Sequence, residues 1–293
     1  MSEAGKGVLA MIGACIIWGL SPIFYKLLSD VPPLEVLAHR TLWSFAVFGL
    51  VLALQRRIRA LPQALAGRRA LLLAFAAAIM ISGNWFLFIF SVQVGRTVES
   101  ALGYYIFPLV AVLIGRVVLK ERLGRAQILA VGLAAVAVAI LTLGLGVAPW
   151  ISLSLATTFG IYGLMKRWTK AGPVVSVTAE VALLAPVALG YLIWLGAEQG
   201  AFGHDAVQST LLIMAGPLTA LPLILFSYAA RRTAMSTIGL VQYLNPTLQF
   251  GVAVLILAEV ITLWHGIAFP IIWVALGIYS WASLRRAPSP APT

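Results

Sequence analysis

Two stretches of this 293-residue chain decide its fold, because they repeat one another in a single gapless register. The first, Ala101–Leu109, reads Ala-Leu-Gly-Tyr-Tyr-Ile-Phe-Pro-Leu, and the second, Gly239–Thr247, reads Gly-Leu-Val-Gln-Tyr-Leu-Asn-Pro-Thr. Among the identities in this register are the pairs Leu102 with Leu240, Tyr105 with Tyr243, Pro108 with Pro246, and Glu121 with Glu259. We infer an internal duplication in which each copy carries one of these segments.

The composition places both copies in lipid. The chain is 61% hydrophobic and only 10% charged, whereas soluble domains carry roughly 25% charged residues. Apolar runs of about 20 residues, the length that crosses a bilayer, recur with short gaps. We therefore predict an all-α membrane protein with ten transmembrane helices, near residues 7–28, 35–54, 70–93, 98–118, 126–143, 148–166, 174–196, 209–230, 236–257 and 264–284.

The distribution of positive charge predicts the topology. Most of the 20 Lys and Arg residues fall in alternate loops, a bias that marks the cytoplasmic side of membrane proteins. The chain is thus expected to be a multi-pass protein of the cytoplasmic (inner) membrane with both termini in the cytoplasm. Because the cations are confined to short loops between apolar runs, the net charge of +11 does not predict a nucleic-acid partner. Cys15 is the only cysteine, so no disulfide forms within the chain.

The helix count divides the chain into two repeats, residues 1–145 and 146–286, followed by a tail at 287–293 that is expected to be disordered. Five helices are an odd number, so the second repeat enters the membrane from the opposite face. Inverted repeats of this kind are common in secondary transporters, with the substrate site near the midplane between them. Exchange of conformations between the two repeats would open that site alternately to each side.

Six short motifs are similar to those of one transporter family. They are Ile-Trp-Gly-Leu-Ser-Pro-Ile-Phe-Tyr-Lys (Ile17–Lys26), His-Arg-Thr-Leu-Trp-Ser (His39–Ser44), Gly-Asn-Trp-Phe-Leu-Phe (Gly83–Phe88), Glu-Ser-Ala-Leu-Gly-Tyr-Tyr-Ile-Phe-Pro (Glu99–Pro108), Tyr-Gly-Leu (Tyr162–Leu164) and Gln-Tyr-Leu-Asn-Pro-Thr (Gln242–Thr247). In this order they resemble the drug/metabolite transporter superfamily, in its EamA-type branch, and more narrowly the RarD permeases. The resemblance implies ten helices in inverted repeats and a central cavity lined mainly by predicted helices 1, 3, 4, 6, 8 and 9. Because superfamily relatives export amino acids and other metabolites, it also implies export of an amino acid or related compound.

Matched prolines are the candidate hinges. Pro108 and Pro246 lie near the centres of the fourth and ninth predicted helices. A proline inside a helix frees a backbone carbonyl and bends the helix, although membrane helices also tolerate proline without a functional role. We interpret this pair as bends that shape the cavity and flex during transport.

Aromatic and amide side chains at similar depth are the candidate cavity wall. A small-molecule pocket combines apolar faces with a few hydrogen-bonding groups, whereas some of these aromatic residues could equally serve packing or face lipid. The candidates are Trp18, Asn84, Trp85, Tyr104, Tyr105, Tyr162, Gln242, Tyr243 and Asn245.

Ionisable residues inside membrane helices are costly and mark candidate functional sites. We predict that Arg40 and Glu99 pair across the outer vestibule and bind an amino or carboxyl group of the substrate. Glu180 is predicted either to carry a coupling proton or to close an inner gate. The alternative for all three is that their side chains reach water at the membrane interface.

Motifs of other function classes are absent from the sequence. No GxxxxGK[ST] or HExxH motif occurs, and the three histidines are scattered. We therefore predict no catalytic residues, no metal and no cofactor, and expect a secondary transporter with a small-molecule substrate and lipid as its surroundings. A non-transporting membrane subunit or sensor, or a membrane-embedded enzyme, remains the alternative. The sequence leaves the substrate, the direction of transport, proton coupling and the oligomeric state open.

Overall fold

The computed structural model describes residues 2–120, 123–146, 148–233 and 235–286, and in these ranges the only regular secondary structure is helical. Glu121, Arg122 and the predicted tail at 287–293 lie outside the described residues. The helices are α1 Glu3–Lys26, α2 Pro33–Leu54, α3 Ala60–Ala64, α4 Arg68–Gln93, α5 Thr97–Val118, α6 Arg125–Leu145, α7 Trp150–Trp168, α8 Pro173–Gln199, α9 Ala206–Ala230, α10 Met235–Val241, α11 Leu244–Gly251 and α12 Leu263–Arg286, with a π-helical turn at Val252–Ile256 after α11.

Nine helical segments in the described ranges are long and apolar enough to cross a membrane. The sixth predicted helix is present as α7, of 19 residues, but it is not one of the nine. Its serines, threonines and two terminal cations, Lys166 and Arg167, make it more polar than the others. The prediction of an all-α membrane protein is thus confirmed, and the tenth crossing remains a prediction.

The ninth predicted helix is present within the described residues as one candidate span, Thr237–Ile256, but its regular hydrogen bonding is interrupted between α10 and α11. Residues 242 and 243 form a turn between α10 and α11. Pro246 has no N–H to donate to the carbonyl of Gln242, four residues earlier, and that carbonyl instead accepts the N–H of Asn245 at 3.1 Å. By contrast, α5 runs without a break through Pro108. The matched prolines therefore have different local structures.

Helices from the two predicted repeats pack extensively against each other. Contacts join α5 with α7, α1 with α9 through α11, α2 with α8 and α9, α4 with α7 and α8, and α6 with α12. Glycine allows the closest of these approaches. A Cβ atom on Gly103 of α5 would lie 2.8 Å from the carbonyl oxygen of Ser152 in α7. In the same way, a Cβ on Gly216 of α9 would lie 2.5 Å from the backbone of Trp43 in α2.

Two contacts show the relative direction of helices across the boundary. Glu35, at the beginning of α2, accepts the N–H of Ala201, just after the end of α8, at 2.7 Å. Because α2 and α8 pack along their length, they run in opposite directions. Similarly, Glu259, which follows α11, accepts the N–H of Thr97 at the beginning of α5, so α5 and α11 are also antiparallel.

The outward surface is apolar. Leu54, Leu143, Trp194 and Leu255 are each more than three-quarters exposed. Such side chains would be unfavourable in water and are at home in hydrocarbon. Together with the nine apolar helices, they describe a multi-pass membrane protein.

Candidate functional site

Arg40 is the most unusual residue in the core. It lies near the beginning of α2 and is only 6% exposed. Its guanidinium carbon is 4.3 Å from the ring centroid of Trp85 in α4 and 5.6 Å from that of Tyr25 in α1. No described carboxylate lies within ion-pair distance of it, and its Nε has no hydrogen-bond partner. A desolvated cation–π contact supplies about 2 kcal/mol, which is less than the several kcal/mol that burial of an ion costs.

The predicted pairing of Arg40 with Glu99 is wrong. Nε of Arg96 donates to Oε1 of Glu99 at 2.6 Å, three residues apart at the beginning of α5. A partner in the same turn costs less chain ordering than one on another helix, and it satisfies that oxygen locally. Oε2 of Glu99 is buried without a partner. Glu99 therefore belongs to the beginning of α5, and Arg40 is left without a carboxylate partner among the described residues.

Asn84 links three helices. Its Nδ2 donates to the carbonyl oxygen of Leu155 at 2.9 Å and to Oγ1 of Thr158 at 3.0 Å, both in α7. Its Oδ1 accepts the hydroxyl of Tyr104 in α5 at 3.0 Å. Tyr104 also lies within electrostatic range of Arg40. The amide was predicted to face a polar cavity, and the structure shows that its polar partners are protein groups from both predicted repeats.

Glu180 stands in a buried cluster near the beginning of α8. It is 1% exposed, and its Oε1 lies 2.6 Å from the ammonium of Lys166 at the end of α7. The hydroxyl of Tyr162 donates to Oε2 at 3.0 Å. Ser176 donates to Oε1 at 3.0 Å and also contacts Lys166. Three protein groups therefore bind this carboxylate: the ammonium of Lys166 and the hydroxyls of Tyr162 and Ser176.

Lys166 was not predicted as a site residue, because it is one of the cations near helix ends whose distribution predicts the topology. One available signal was its position four residues after Tyr162, which places both side chains on one face of α7. Glu259 was also not among the predicted site residues. Its two carboxylate oxygens accept the N–H groups of Thr97 and Val98 at 2.7 and 2.8 Å, so it caps α5 from the other repeat. No sequence signal identifies a cap that is distant in the chain.

The remaining predicted residues form a separate group. The hydroxyl of Tyr105 lies 2.8 Å from Oγ1 of Thr247, and its ring packs edge-on against Phe269 and Trp273 of α12. Tyr243 packs against the same apolar cluster. The two matched tyrosines, Tyr105 and Tyr243, thus pack around α5, α11 and α12. Neither is in ring contact with Tyr104 among the described residues.

Three further predictions concern the neighbourhood of the helix break. Oδ1 of Asn245 accepts Nε2 of Gln249 at 3.0 Å. Gln242 lies in the break itself and is partly buried. Trp18 packs at a tilt against Phe226 of α9, with ring centroids 6.4 Å apart. The structure therefore sets this packing group apart from the Arg40 and Glu180 groups. Those two groups are connected through Phe159, whose ring centroid lies 6.0 Å from those of both Tyr104 and Tyr162.

A pocket of about 310 Å³ is lined by Ala206, Val207, Thr210 and Leu211 at the beginning of α9, and none of the predicted site residues lines it. Within the described residues, no group of three or more His, Cys, Asp or Glu side chains is placed to hold a metal ion.

Sequence comparison identifies close relatives over nearly the whole chain. The model of the EamA-like transporter family matches residues 5–143. A protein named RarD from Streptomyces exfoliatus is 46% identical over 288 residues, covering 98% of this chain and 91% of that protein. The uncharacterized transporter YojE of Bacillus subtilis is 38% identical, with 97% and 96% coverage. RarD of Escherichia coli is 36% identical, with 94% of each chain covered.

One solved structure has the same fold. It is described only as the crystal structure of a protein, and it superposes with a TM-score of 0.60. The match covers 97% of this chain and 99% of the other, at 14% sequence identity. At that identity the likeness concerns the fold alone.

Proposed function

The chain belongs to the EamA-like transporter family, in its RarD branch, and on that premise we propose that it is a secondary transporter of a small metabolite. It works by alternating access at a site between two inverted five-helix repeats, residues 1–145 and 146–286. The substrate is an amino acid or a related compound, and the direction is export from the cytoplasm. Both termini lie in the cytoplasm.

The pattern of helix contacts supports the inverted arrangement. Under exchange of the repeats, α1 corresponds to α7, α2 to α8, α4 to α9, α5 to α10 and α11, and α6 to α12. The contact of α5 with α7 then corresponds to that of α11 with α1, and the contact of α2 with α9 to that of α8 with α4; all four are present. The self-corresponding pairs α2 with α8 and α5 with α11 are antiparallel, as a twofold axis in the membrane plane requires.

The observation that carries the proposal is buried charge at both ends of the boundary between the repeats. Arg40 and Glu180 are each more than nine-tenths buried. Because α2 and α8 are antiparallel and each residue lies near the beginning of its helix, the two charges lie toward opposite ends of the bundle. Buried charges inside a membrane protein mark substrate and ion pathways. A non-transporting subunit or sensor has no use for charge at both ends.

Glu180 and Lys166 are proposed as the gate on the cytoplasmic side. The pair joins α7 to α8, and opening that end of the bundle would separate them. Protonation of Glu180 would weaken the pair, so a coupling proton carried there would link gate opening to the proton gradient. The groups around Glu180 that respond to or screen this charge are Lys166, Tyr162 and Ser176.

Reconstitution tests the proposal. Purified chain in proteoliposomes loaded with a mixture of labelled L-amino acids should release at least one of them faster than protein-free vesicles. Arg40→Ala should reduce that release at least tenfold, and Arg56→Gln, which alters an exposed loop cation, should not. An imposed pH gradient should change the rate in the wild type and not in Glu180→Gln. If vesicles with the wild-type protein release no compound faster than protein-free vesicles do, the transporter assignment is contradicted.

A further inference from the structure

We propose that Arg40 is the binding site for a carboxylate group of the transported substrate. The inference rests on the transport function proposed above and specifies the chemical class of the cargo. Its starting point is a cation that is 6% exposed and has no carboxylate partner among the described residues. Chains rarely bury such a charge without compensation, since an unpaired ion loses its hydration and gains nothing equivalent.

The second repeat supplies an internal comparison. Both α2 and α8 begin with proline, and the register that aligns Pro33 with Pro173 also aligns Arg40 with Glu180. Corresponding positions of the two repeats therefore hold buried charges of opposite sign. Glu180 has its counter-ion within the chain, the ammonium of Lys166 at 2.6 Å. Among the described residues Arg40 has none, so we assign the ion that completes its site to the substrate.

The surroundings of Arg40 hold the guanidinium in place without neutralising it. Trp85 and Tyr25 offer their ring faces at 4.3 and 5.6 Å. The hydroxyl of Tyr104, which donates to Asn84, is within electrostatic range. These contacts hold the guanidinium against two rings and leave its Nε donor without a partner. A planar, fixed pair of donors matches the two oxygens of a carboxylate.

Charge balance favours a carboxylate over a phosphate. The titratable groups within electrostatic range of Arg40 are the phenols of Tyr25 and Tyr104, so the site offers one positive charge. A carboxylate carries one negative charge and leaves the occupied site neutral. A phosphate monoester carries close to two at neutral pH and would leave a buried negative charge without a partner.

Arg40 also lies where a substrate between the repeats would be held. Trp85 is in the same helix as Asn84, whose amide reaches α7 of the second repeat. A carboxylate bound at Arg40 would thus be held by α2 of the first repeat. Trp85, which contacts Arg40, is the sequence neighbour of Asn84, which links the two repeats. The remainder of the substrate would extend toward that boundary.

Thermal stability of the purified full-length chain tests this assignment. The probes are the L-amino acids and benzoate as carboxylates, the matching carboxamides of those that bind, and glycerol 3-phosphate as a phosphate monoester. At least one carboxylate should raise the melting temperature, because a ligand that binds only the native state stabilises it. Its carboxamide should bind at least tenfold more weakly, and glycerol 3-phosphate should give no shift.

Variants separate charge from shape. Arg40→Gln should abolish the carboxylate-dependent shift, Arg40→Lys should weaken it by about tenfold or more because the donor fork is lost, and Arg56→Gln should leave it unchanged. The proposal is overturned if no carboxylate stabilises the wild type, if acids and carboxamides bind equally, or if Arg40→Gln and Arg40→Lys retain full affinity. Flux measured in parallel distinguishes the two proposals. If carboxylates bind in an Arg40-dependent way but no flux is observed, only the transport proposal is rejected. If acids and amides are transported equally fast, only the carboxylate site is rejected.

Discussion

The ammonium group of Lys166 lies 2.6 Å from Oε1 of Glu180, and this buried ion pair ties the last turn of α7 to α8. The side chain of Lys166 is 23% exposed and that of Glu180 is 2% exposed. Tyr162 and Ser176 complete the coordination of the carboxylate. Among the described residues, the other groups on the Glu180 carboxylate are neutral hydroxyls, so Lys166 is its only charged partner.

Breaking one side of this pair should cost more than removing both. We expect Lys166→Met and Glu180→Met each to lower the free energy of unfolding, Lys166→Met by about 3–5 kcal/mol because it leaves a buried charge uncompensated. The double variant Lys166→Met/Glu180→Met should recover most of that loss. A double-mutant cycle on thermal or chemical unfolding in detergent measures the coupling.

The matched control is the exposed pair of Lys6 and Glu3, whose side chains are 45% and 63% exposed. Water and salt screen such a pair, so Lys6→Met should cost at most about 1 kcal/mol. If Lys166→Met is as mild as Lys6→Met, the buried pair does not contribute to the fold as described.

The sequence predicted an all-α membrane protein correctly because the evidence for that class is distributed over many residues. The apolar runs together involve more than a hundred positions, in a chain that is 61% hydrophobic, so single deviations do not change the outcome. The site was predicted less well because it depends on individual side-chain partners. Arg40 and Glu180 were identified correctly as buried charges, since any charge inside an apolar run is conspicuous.

The partners of those charges could not be predicted for a geometric reason. Lys166 comes 14 residues before Glu180 across a helix-to-helix turn, and whether its side chain faces α8 depends on helix rotation. Glu259 reaches Thr97 across 162 residues, and that contact exists only once α11 and α5 are packed. Pairing of Arg40 with Glu99 was an error of the same kind, because Arg96 reaches that carboxylate first.

Glu259 should stabilise the beginning of α5. Its carboxylate accepts two N–H groups that no turn of the helix itself can satisfy and lies at the positive end of the helix dipole. Glu259→Ala is expected to lower the free energy of unfolding by about 1–2 kcal/mol, in the range of other lost caps. Hydrogen exchange at Thr97 and Val98 should increase in parallel, while exchange elsewhere in α5 changes little.

Glu198→Ala serves as the control, because Glu198 is an exposed acidic residue at the end of α8. It should leave both the stability and the exchange at Thr97 unchanged. Equal exchange at Thr97 in the wild type and in Glu259→Ala would show that the cap does not persist in the membrane.

Gly103 should not tolerate alanine. The added Cβ would lie 2.8 Å from the carbonyl oxygen and 3.1 Å from the Cα of Ser152, and backbone atoms cannot move aside without separating α5 from α7. We expect Gly103→Ala to cost about 1–3 kcal/mol, typical of overpacking, measured as a fall in melting temperature.

Gly132 in α6 provides the matched comparison, since nothing lies within 4 Å of its added Cβ. Gly132→Ala should be neutral or stabilising by up to about 1 kcal/mol, because alanine is the better helix former. A Gly103→Ala variant as stable as Gly132→Ala would contradict the close approach of α5 and α7.

The matched prolines should respond differently to alanine, because one lies in a broken segment and the other in a continuous helix. Pro246→Ala restores an N–H that can donate to the carbonyl of Gln242, so α10 and α11 should join and amide exchange at residues 242–246 should slow. In Pro108→Ala the helix α5 is expected to stay continuous, as it is with proline, so exchange there should change little. If the repeats exchange conformations during transport, α5 must break at Pro108 in the other state, and both variants should slow flux in proteoliposomes more than they reduce the yield of folded protein. Flux that falls only in proportion to folded protein would leave the prolines a packing role.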